Sequence, residues 1–316
     1  MAGFRPPLFF IGRLSMKART KDKLFPYLML LPSIVGLGIL VVYPVFRGLI
    51  LSLYEYTLLY SSYPFIGPGN YVELITKDSI FWGTLGNTIA FTIGNGVGST
   101  IIAMGVALLL YRTGGLQTFL RGFVLLPWLV PSVVISTIWL WLYSPDYSPI
   151  NDVLLKLGII KTRISFLGNL DFKIGPITGP FLSILVVRMW FSFSYKAVLL
   201  LAALVNIPKE LYESASIDGA GPWKKFIHVT MPGIYPQLMI ILTLTLIGNF
   251  GYFDINYLMT KGGPLNYTNV MAVQLYSMAF EHFRLGYAAA MGMVILLITS
   301  VIAIAYVRLT STNEEV

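Results

Sequence analysis

The sequence predicts an all-α integral membrane protein with six transmembrane helices. Of its 316 residues, 56% are hydrophobic and only 11% are charged, whereas soluble domains carry about 25% charged residues. Six stretches are long and apolar enough to cross a bilayer, which takes about 20 residues per helix. This composition excludes an ordinary soluble enzyme and, because hydrophobicity is high, a disordered chain. The absence of cysteine also excludes disulfides and catalytic or zinc-binding thiolates.

The predicted spans share a run of apolar residues with few or no charges; they are 26–46, 84–111, 122–144, 181–205, 237–259 and 285–307. An uncharged stretch that begins at Ser79 leads into the second span. The fourth span contains Arg188 and Lys196, and the fifth contains Asp254. We expect Asp254 to act as a structural cap near the outer end of its span.

The distribution of lysine and arginine predicts the orientation. Cytoplasmic loops carry an excess of these residues, and placing both termini inside assigns most of them to the tails 1–25 and 308–316 and the loops 112–121 and 206–236. The net charge of +8 is then mostly a matter of topology, and we expect no nucleic-acid binding. The main external insertion, residues 145–180, is rich in proline and glycine and is expected to be a loop with a short helix around 151–157.

The loop 206–236 has the pattern of two short helices joined by a turn. Good helix formers follow Pro208, and Glu210 and Glu213 lie where acidic residues favour a helix start. The segment 218–222, Asp-Gly-Ala-Gly-Pro, has turn chemistry. A second short helix is expected to begin at Trp223.

Pro232 and Pro236 are expected to end this second helix before the fifth span. The loop then presents an apolar, partly aromatic face, which is typical of a docking surface. An amphipathic helix that lies in the lipid headgroup layer is the alternative.

The segment 213–220, Glu-Ser-Ala-Ser-Ile-Asp-Gly-Ala, followed by Pro232, resembles the EAA loop of type I ABC import permeases. Ser214 replaces the first alanine of the family pattern. The Asp-Gly-Ala form and the ending Thr230-Met-Pro are most similar to the carbohydrate branch. Further resemblances extend over about residues 25–310; they are Tyr43-Pro44, Gly69-Asn70-Tyr71, Asn87-Thr88, Leu126-Pro127-Trp128, Gly262-Gly263-Pro264 and the segment 286–290.

This resemblance implies the type I ABC importer permease fold and the permease subunit of a binding-protein-dependent sugar importer in the cell membrane. It implies as partners a second, different permease subunit, two ATPase subunits, an external solute-binding protein and a sugar. No cofactor is expected in this chain, which lacks a phosphate-loop motif, so ATP and magnesium belong to the ATPase. The residues implied to couple to the ATPase are Glu213, Ala215, Asp218, Gly219, Ala220, Trp223 and Pro232.

The solute path is expected along the fourth and fifth spans. Ionisable residues inside spans are candidates for function, and sugars are bound by polar groups beside aromatic faces. The candidates are Arg188, Trp190, Ser192, Tyr195, Thr245, Asn249, Tyr252 and Phe253. Tyr195 and Asn249 match best the positions that line the cavity in permeases of the maltose type. Ordinary helix packing is the alternative for each residue.

Other functions remain open at this point. Arg188 and Lys196 would suit an importer for glycerol phosphate or another polyol derivative, because an anion in a low-dielectric path needs a cationic partner. A secondary transporter is disfavoured, because no inverted repeat with broken helices is evident. A membrane enzyme is disfavoured, because paired carboxylates and a nucleophile–base pair are lacking. His228 and His282 lack metal-ligand spacing, so no metal site is expected.

The orientation gives a first prediction. In a Lys225→Cys variant of this cysteine-free chain, an impermeant thiol reagent should leave intact cells unlabelled and should react after permeabilisation, because loop 206–236 is cytoplasmic. A Lys156→Cys variant, in the predicted external insertion, is the control and should be labelled from outside. Ready labelling of the Lys225→Cys variant in intact cells would contradict the orientation.

Overall fold

The computed structural model describes residues 20–59, 63–174 and 177–311. Residues 1–19, most of the predicted basic tail, and residues 312–316 of the second tail lie outside the described residues. The chain divides into a first unit that ends at Ile50 and a second unit that begins at Leu51.

The first unit contains one apolar helical rod. Helix α1 (Thr20–Leu37) continues through a π-helical segment (Gly38–Val42) into α2 (Tyr43–Leu51). Its apolar part, Tyr27–Leu51, has 25 residues and rises about 37 Å, more than the ~30 Å of a hydrocarbon core. This rod contains the predicted first span, 26–46.

The second unit is mainly helical. Its helices are α3 (Gly69–Thr76), α4 (Ser79–Arg112), α5 (Gln117–Leu129), α6 (Ser132–Leu142), α7 (Pro149–Lys156), α8 (Gly179–Val205), α9 (Lys209–Ile217), α10 (Pro222–Lys225), α11 (Met231–Phe250), α12 (Asp254–Thr260), α13 (Met271–Tyr276) and α14 (Leu285–Ser311). Strands β1 (Lys173–Ile174) and β2 (Ile177–Thr178) form an antiparallel pair before α8. Helix α7 agrees with the short helix expected in the insertion 145–180.

Helix α8 is the centre of the second unit and packs against α4, α5 and α11. Two glycines of α4 allow the closest approach. A β-carbon at Gly94 would lie 2.9 Å from the side chain of Leu185, and one at Gly98 would overlap the sulfur of Met189. Small residues let membrane helices pack backbone to backbone, so the sequence of α4 fixes which face meets α8.

The predicted third span, 122–144, differs from a straight helix. It consists of α5 and α6, which meet at an angle of 88°. Val130 is extended there (φ −83°, ψ 132°), because a residue that precedes proline avoids the helical region, and Pro131 has no N–H for the helical ladder. The described residues thus contain five straight helices that could cross a membrane, and six if this bent pair is one span.

The predicted fifth span, 237–259, is also corrected at both ends. Pro232 and Pro236 do not end a helix, because the helix is continuous from Pro222 to Phe250. A π-helical segment, Phe226–Thr230, ends two residues before Pro232, and such local adjustments accommodate proline in membrane helices. At the other end the helix stops at Phe250, and the predicted remainder forms the separate helix α12.

Asp254 is the first residue of α12 and does not cap the fifth span. Its Oδ2 accepts a hydrogen bond of 2.7 Å from Ser132 Oγ, at the start of α6. The carboxylate therefore ties α12 to α6, which are adjacent in the fold.

The segment before α14 is fixed to α3 by polar contacts. Arg284 Nη2 donates to both carboxylate oxygens of Glu73, at 2.9 and 2.8 Å, and these bonds raise the pKa of Arg284. Tyr287 donates to Asp78 Oδ2 at 2.5 Å. Charge-assisted bonds of this kind are the strong ones in proteins, so they hold α14 and the segment before it to α3 and to the start of α4.

Candidate functional site

Residues Lys209–Thr230 form an elbow, made of α9, a turn, α10 and the following π-helical segment. The turn depends on Gly219, whose φ of +72° is unfavourable for a residue with a β-carbon. A β-carbon there would meet no atom within 4 Å, so the constraint is conformational and not steric crowding. The Gly219 N–H donates to the carbonyl of Ser216 at 3.1 Å, and the Ala220 N–H donates to the carbonyl of Ala215 at 2.8 Å.

The tip of the elbow carries large apolar side chains that are exposed. Ile217 is 86% exposed and Trp223 is 71% exposed, and the Trp223 ring stacks on Phe226 with centroids 5.7 Å apart. Large apolar side chains that project this far into solvent mark a contact surface. The predicted helix–turn–helix is therefore present, and its apolar face is exposed.

Two side-chain contacts hold the elbow together. Lys225 Nζ donates to Ser216 Oγ at 2.6 Å, and the hydroxyls of Tyr212 and Thr230 are 3.0 Å apart. The first contact joins α10 to α9, and the second joins α9 to the π-helical segment. Because both arms are bound to each other, the elbow is suited to move as one body.

The predicted coupling residues fall in two places. Six of them lie on α9, the turn or α10, where Glu213, Asp218, Gly219 and Trp223 are exposed and Ala215 and Ala220 are half-buried. Pro232 lies beyond the elbow, in the first turn of α11.

A second candidate site is a polar network buried between α4, α8 and α11. Its members are Asn95, Ser99, Arg188, Ser192, Lys196 and Asn249. Asn249 Oδ1 accepts hydrogen bonds from Asn95 Nδ2 at 3.1 Å and from Arg188 Nη2 at 3.3 Å. Ser192 Oγ donates to Asn95 Oδ1 at 2.8 Å. Asn95 of α4 and Asn249 of α11 thus bond to each other and to residues of α8, so these two asparagines join the three helices.

Lys196 forms the second half of the network. Its Nζ donates to Ser99 Oγ at 2.6 Å, and Ser99 Oγ in turn donates to the carbonyl of Asn95. Lys196 is 0% exposed and Arg188 is 9% exposed. Within the described part of the chain, neither cation has a carboxylate at ion-pair distance.

The network has more donors than acceptors. Among the described residues, Arg188 Nε and Nη1 and Asn249 Nδ2 are buried without a hydrogen-bond partner. The guanidinium group lies over the ring of Tyr252, with Arg188 Cζ 3.3 Å from the ring centroid. Unpaired buried donors are costly, so this arrangement favours an added acceptor or anion.

The structure joins four of the predicted path residues by direct contacts and gives the other four different contacts. Arg188, Ser192 and Asn249 belong to the network, and Tyr252 stacks on Arg188. The others have different neighbours: Trp190 packs on Trp139, Tyr195 lies near Trp128, Thr245 donates to its own helix at Ile241, and Phe253 stacks on Tyr257.

Two network members were missed at the sequence level. Asn95 and Ser99 lie one turn apart in the second span, and residues at i and i+4 share a helix face. That polar pair in a membrane helix was the available signal.

Comparison with known proteins identifies the family. Residues 99–312 match the family model described as "Binding-protein-dependent transport system inner membrane component". The chain is 32% identical to the sulfoquinovosyl glycerol transport system permease protein SmoG of Agrobacterium fabrum, over 93% of this chain and 92% of that protein. It is 30% identical to the trehalose/maltose transport system permease protein MalF of Thermococcus litoralis, over 93% and 95%.

The fold has a solved counterpart. A chain of a bacterial ABC transporter that imports the acidic polysaccharide alginate superimposes with a TM-score of 0.78 at 22% identity, over 92% of this chain and 96% of that one. The matches in sequence confirm the family indicated by the EAA-like segment. Since the family model covers more than half of the sequence, the chain belongs to the family of inner membrane components of binding-protein-dependent transport systems.

Proposed function

We propose that the elbow couples this permease to an ATPase subunit and that the buried polar network contacts a sugar or sugar derivative on its way through the membrane. The observation that carries the coupling role is the elbow itself, with Gly219 in the left-handed region and Ile217 and Trp223 exposed at its tip. A cleft on a soluble partner would remove these side chains from water.

The continuity of the helix that follows the elbow supports this role. The stretch from Pro222 to Phe250 is one helix, and about 40 Å separate Trp223 from Asn249 along it. A displacement of the elbow by the partner therefore moves Asn249 in the polar network. ATP binding and hydrolysis on the partner would shift the equilibrium between two arrangements of this helix. The magnesium and ATP belong to that partner.

The assembly that we propose contains a second permease of different sequence, two ATPase subunits and an external binding protein. The names of SmoG and MalF refer to glycosides and disaccharides, and these names support a carbohydrate solute for this chain as well. The elbow then faces the cytoplasm, in agreement with the predicted orientation.

A change at the turn tests the coupling role. Gly219→Pro should abolish uptake and the stimulation of ATP hydrolysis by loaded binding protein, because proline fixes φ near −65° and removes the N–H that donates to Ser216. Gly221→Ala is the matched control, since Gly221 has φ −69° and open space around it. The measurement is ATPase activity of the reconstituted assembly with and without loaded binding protein.

A charge reversal separates docking from folding of the turn. Glu213→Lys should uncouple uptake from hydrolysis as well, since like charges across an interface cost several kcal/mol, while the exposed position leaves the turn intact. Glu210→Lys is the matched control, because Glu210 is also exposed on α9 and the variant makes the same charge change in the first turn of the helix. If both Gly219→Pro and Glu213→Lys keep full substrate-stimulated hydrolysis, the elbow lies on the lipid surface instead.

Truncation of the two best-matching path candidates, Asn249 in the polar network and Tyr195 outside it, tests the path. Asn249→Ala and Tyr195→Ala should lower uptake without dissociating the ATPase, and the loss should be partial because polar contacts in membranes contribute about 1–2 kcal/mol. Thr245→Val, one turn from Asn249, is the control, since its hydroxyl bonds its own helix. Parental uptake by both alanine variants at all solute concentrations would place the solute elsewhere.

A second candidate function is import of an acidic sugar or polyol derivative. It is favoured by the unpaired donors of Arg188 and Asn249 and by two buried cations without a carboxylate partner among the described residues. A carboxylate, sulfonate or phosphate would supply the missing acceptors.

The charge of the solute separates the two candidates. Cells with and without this chain are grown in a medium of mixed glycosides. Mass spectrometry identifies the solute that only the cells with this chain remove from the medium. Uptake of an acidic solute should fall at least tenfold in Arg188→Gln and much less in Arg188→Lys. It should not change in Arg163→Gln, which alters an exposed arginine. A neutral solute with full uptake by Arg188→Gln would exclude the acidic class.

A further inference from the structure

A furrow runs along one face of α4 towards the elbow. Val97, Ile101, Met104, Leu108 and Arg112 follow each other at helical spacing and therefore share that face. The first three line a cavity of about 370 Å³ beside α11, and the last two line a cavity of about 520 Å³ beside the elbow. Phe226 borders both cavities, so the two lie next to each other along α4.

The part beside α11 is almost entirely apolar. Besides α4 residues it is lined by Phe226, Met231, Leu238 and Leu242, and Thr100 is its one hydroxyl residue. Val97 and Ile101 are exposed in this chain. Such a surface is compatible with hydrocarbon and offers nothing to a polar ligand.

The part beside the elbow is mainly apolar but carries basic side chains. Arg112, Lys209 and Lys225 line it, and Glu213 is the one acidic side chain among its lining residues. Tyr111 and Tyr212 add hydroxyl groups. The excess of positive charge is complementary to a phosphate, and basic pockets at the cytoplasmic end of membrane helices bind anionic headgroups.

The length of the furrow matches one leaflet. From Val97 to Arg112, α4 rises about 22 Å, and half of a bilayer including its headgroups measures about 20–22 Å. The apolar part lies towards the middle of α4, and the basic part lies where α4 ends. A molecule with an apolar chain and an anionic head, aligned with the helix, satisfies both parts at once.

We propose that an anionic phospholipid occupies this furrow. Its phosphate lies at Arg112, Lys209 and Lys225, and one acyl chain lies between α4 and α11. The site goes beyond the proposed function, because it requires neither a particular solute nor a particular ATPase. It places a lipid against the base of the elbow, where Phe226 contacts both the headgroup and the chain regions.

Lipid retention tests the proposal directly. The importer is purified with its partner subunits, stripped of lipid in detergent and titrated with dioleoyl phosphatidylglycerol or dioleoyl phosphatidylcholine, and bound lipid is counted by native mass spectrometry. Phosphatidylglycerol should bind at least tenfold more tightly than phosphatidylcholine. The double variant Arg112→Gln/Lys209→Gln should abolish this preference, whereas Lys156→Gln/Arg163→Gln, an equal loss of charge on exposed residues elsewhere, should keep it.

Filling the apolar part is a second test that leaves the charges intact. Ile101→Trp should displace phosphatidylglycerol, whereas Leu109→Trp, an exposed residue of α4 that does not line the furrow, should not. Equal retention of both lipids, or retention that the Arg112→Gln/Lys209→Gln variant leaves unchanged, would overturn the proposal. So would a cross-link from position 101 to the second permease, which would assign the furrow to a protein helix.

Discussion

The association of α8 with α4 and α11 is the interaction on which the second unit depends. A membrane interior offers no water, so polar side chains there must bond within the protein. Asn95, Ser192 and Asn249 meet this requirement across three helices, while Gly94 and Gly98 let α4 and α8 approach closely. The hydrogen bonds and the glycines depend on each other, because the polar side chains can bond between helices only at the backbone distance that the glycines set.

This constraint also explains how a motion at one end can reach the middle of the membrane. The elbow is bound to itself through Ser216 and Thr230, and it continues without interruption into α11. Since Asn249 is near the far end of that helix, the movement proposed for the elbow would act on the polar network directly. The π-helical segment at the end of the elbow, just before α11, is the place where this path has the least regular hydrogen bonding.

The same network carries an imbalance that a purely structural role does not require. Arg188 and Lys196 bring two cations into the core of the unit, and three of the donor atoms of Arg188 and Asn249 have no partner among the described residues. Helix packing alone would be served by asparagine and serine.

The sequence alone determined the membrane class, the positions of most spans and the turn at Gly219, because hydropathy and turn chemistry act over a few neighbouring residues. The family followed from the resemblance of the EAA-like segment and of the shorter motifs around it. Tertiary structure decided the rest. Asn95 and Asn249 are 154 residues apart and meet only once three helices take a definite register. The bend at Pro131 and the uninterrupted helix through Pro232 were also outside the reach of local rules, since the same residue type breaks one helix and is accommodated in the other. What differs is the backbone before each proline, extended at Val130 and π-helical before Pro232, and packing of the surrounding helices selects between these two outcomes.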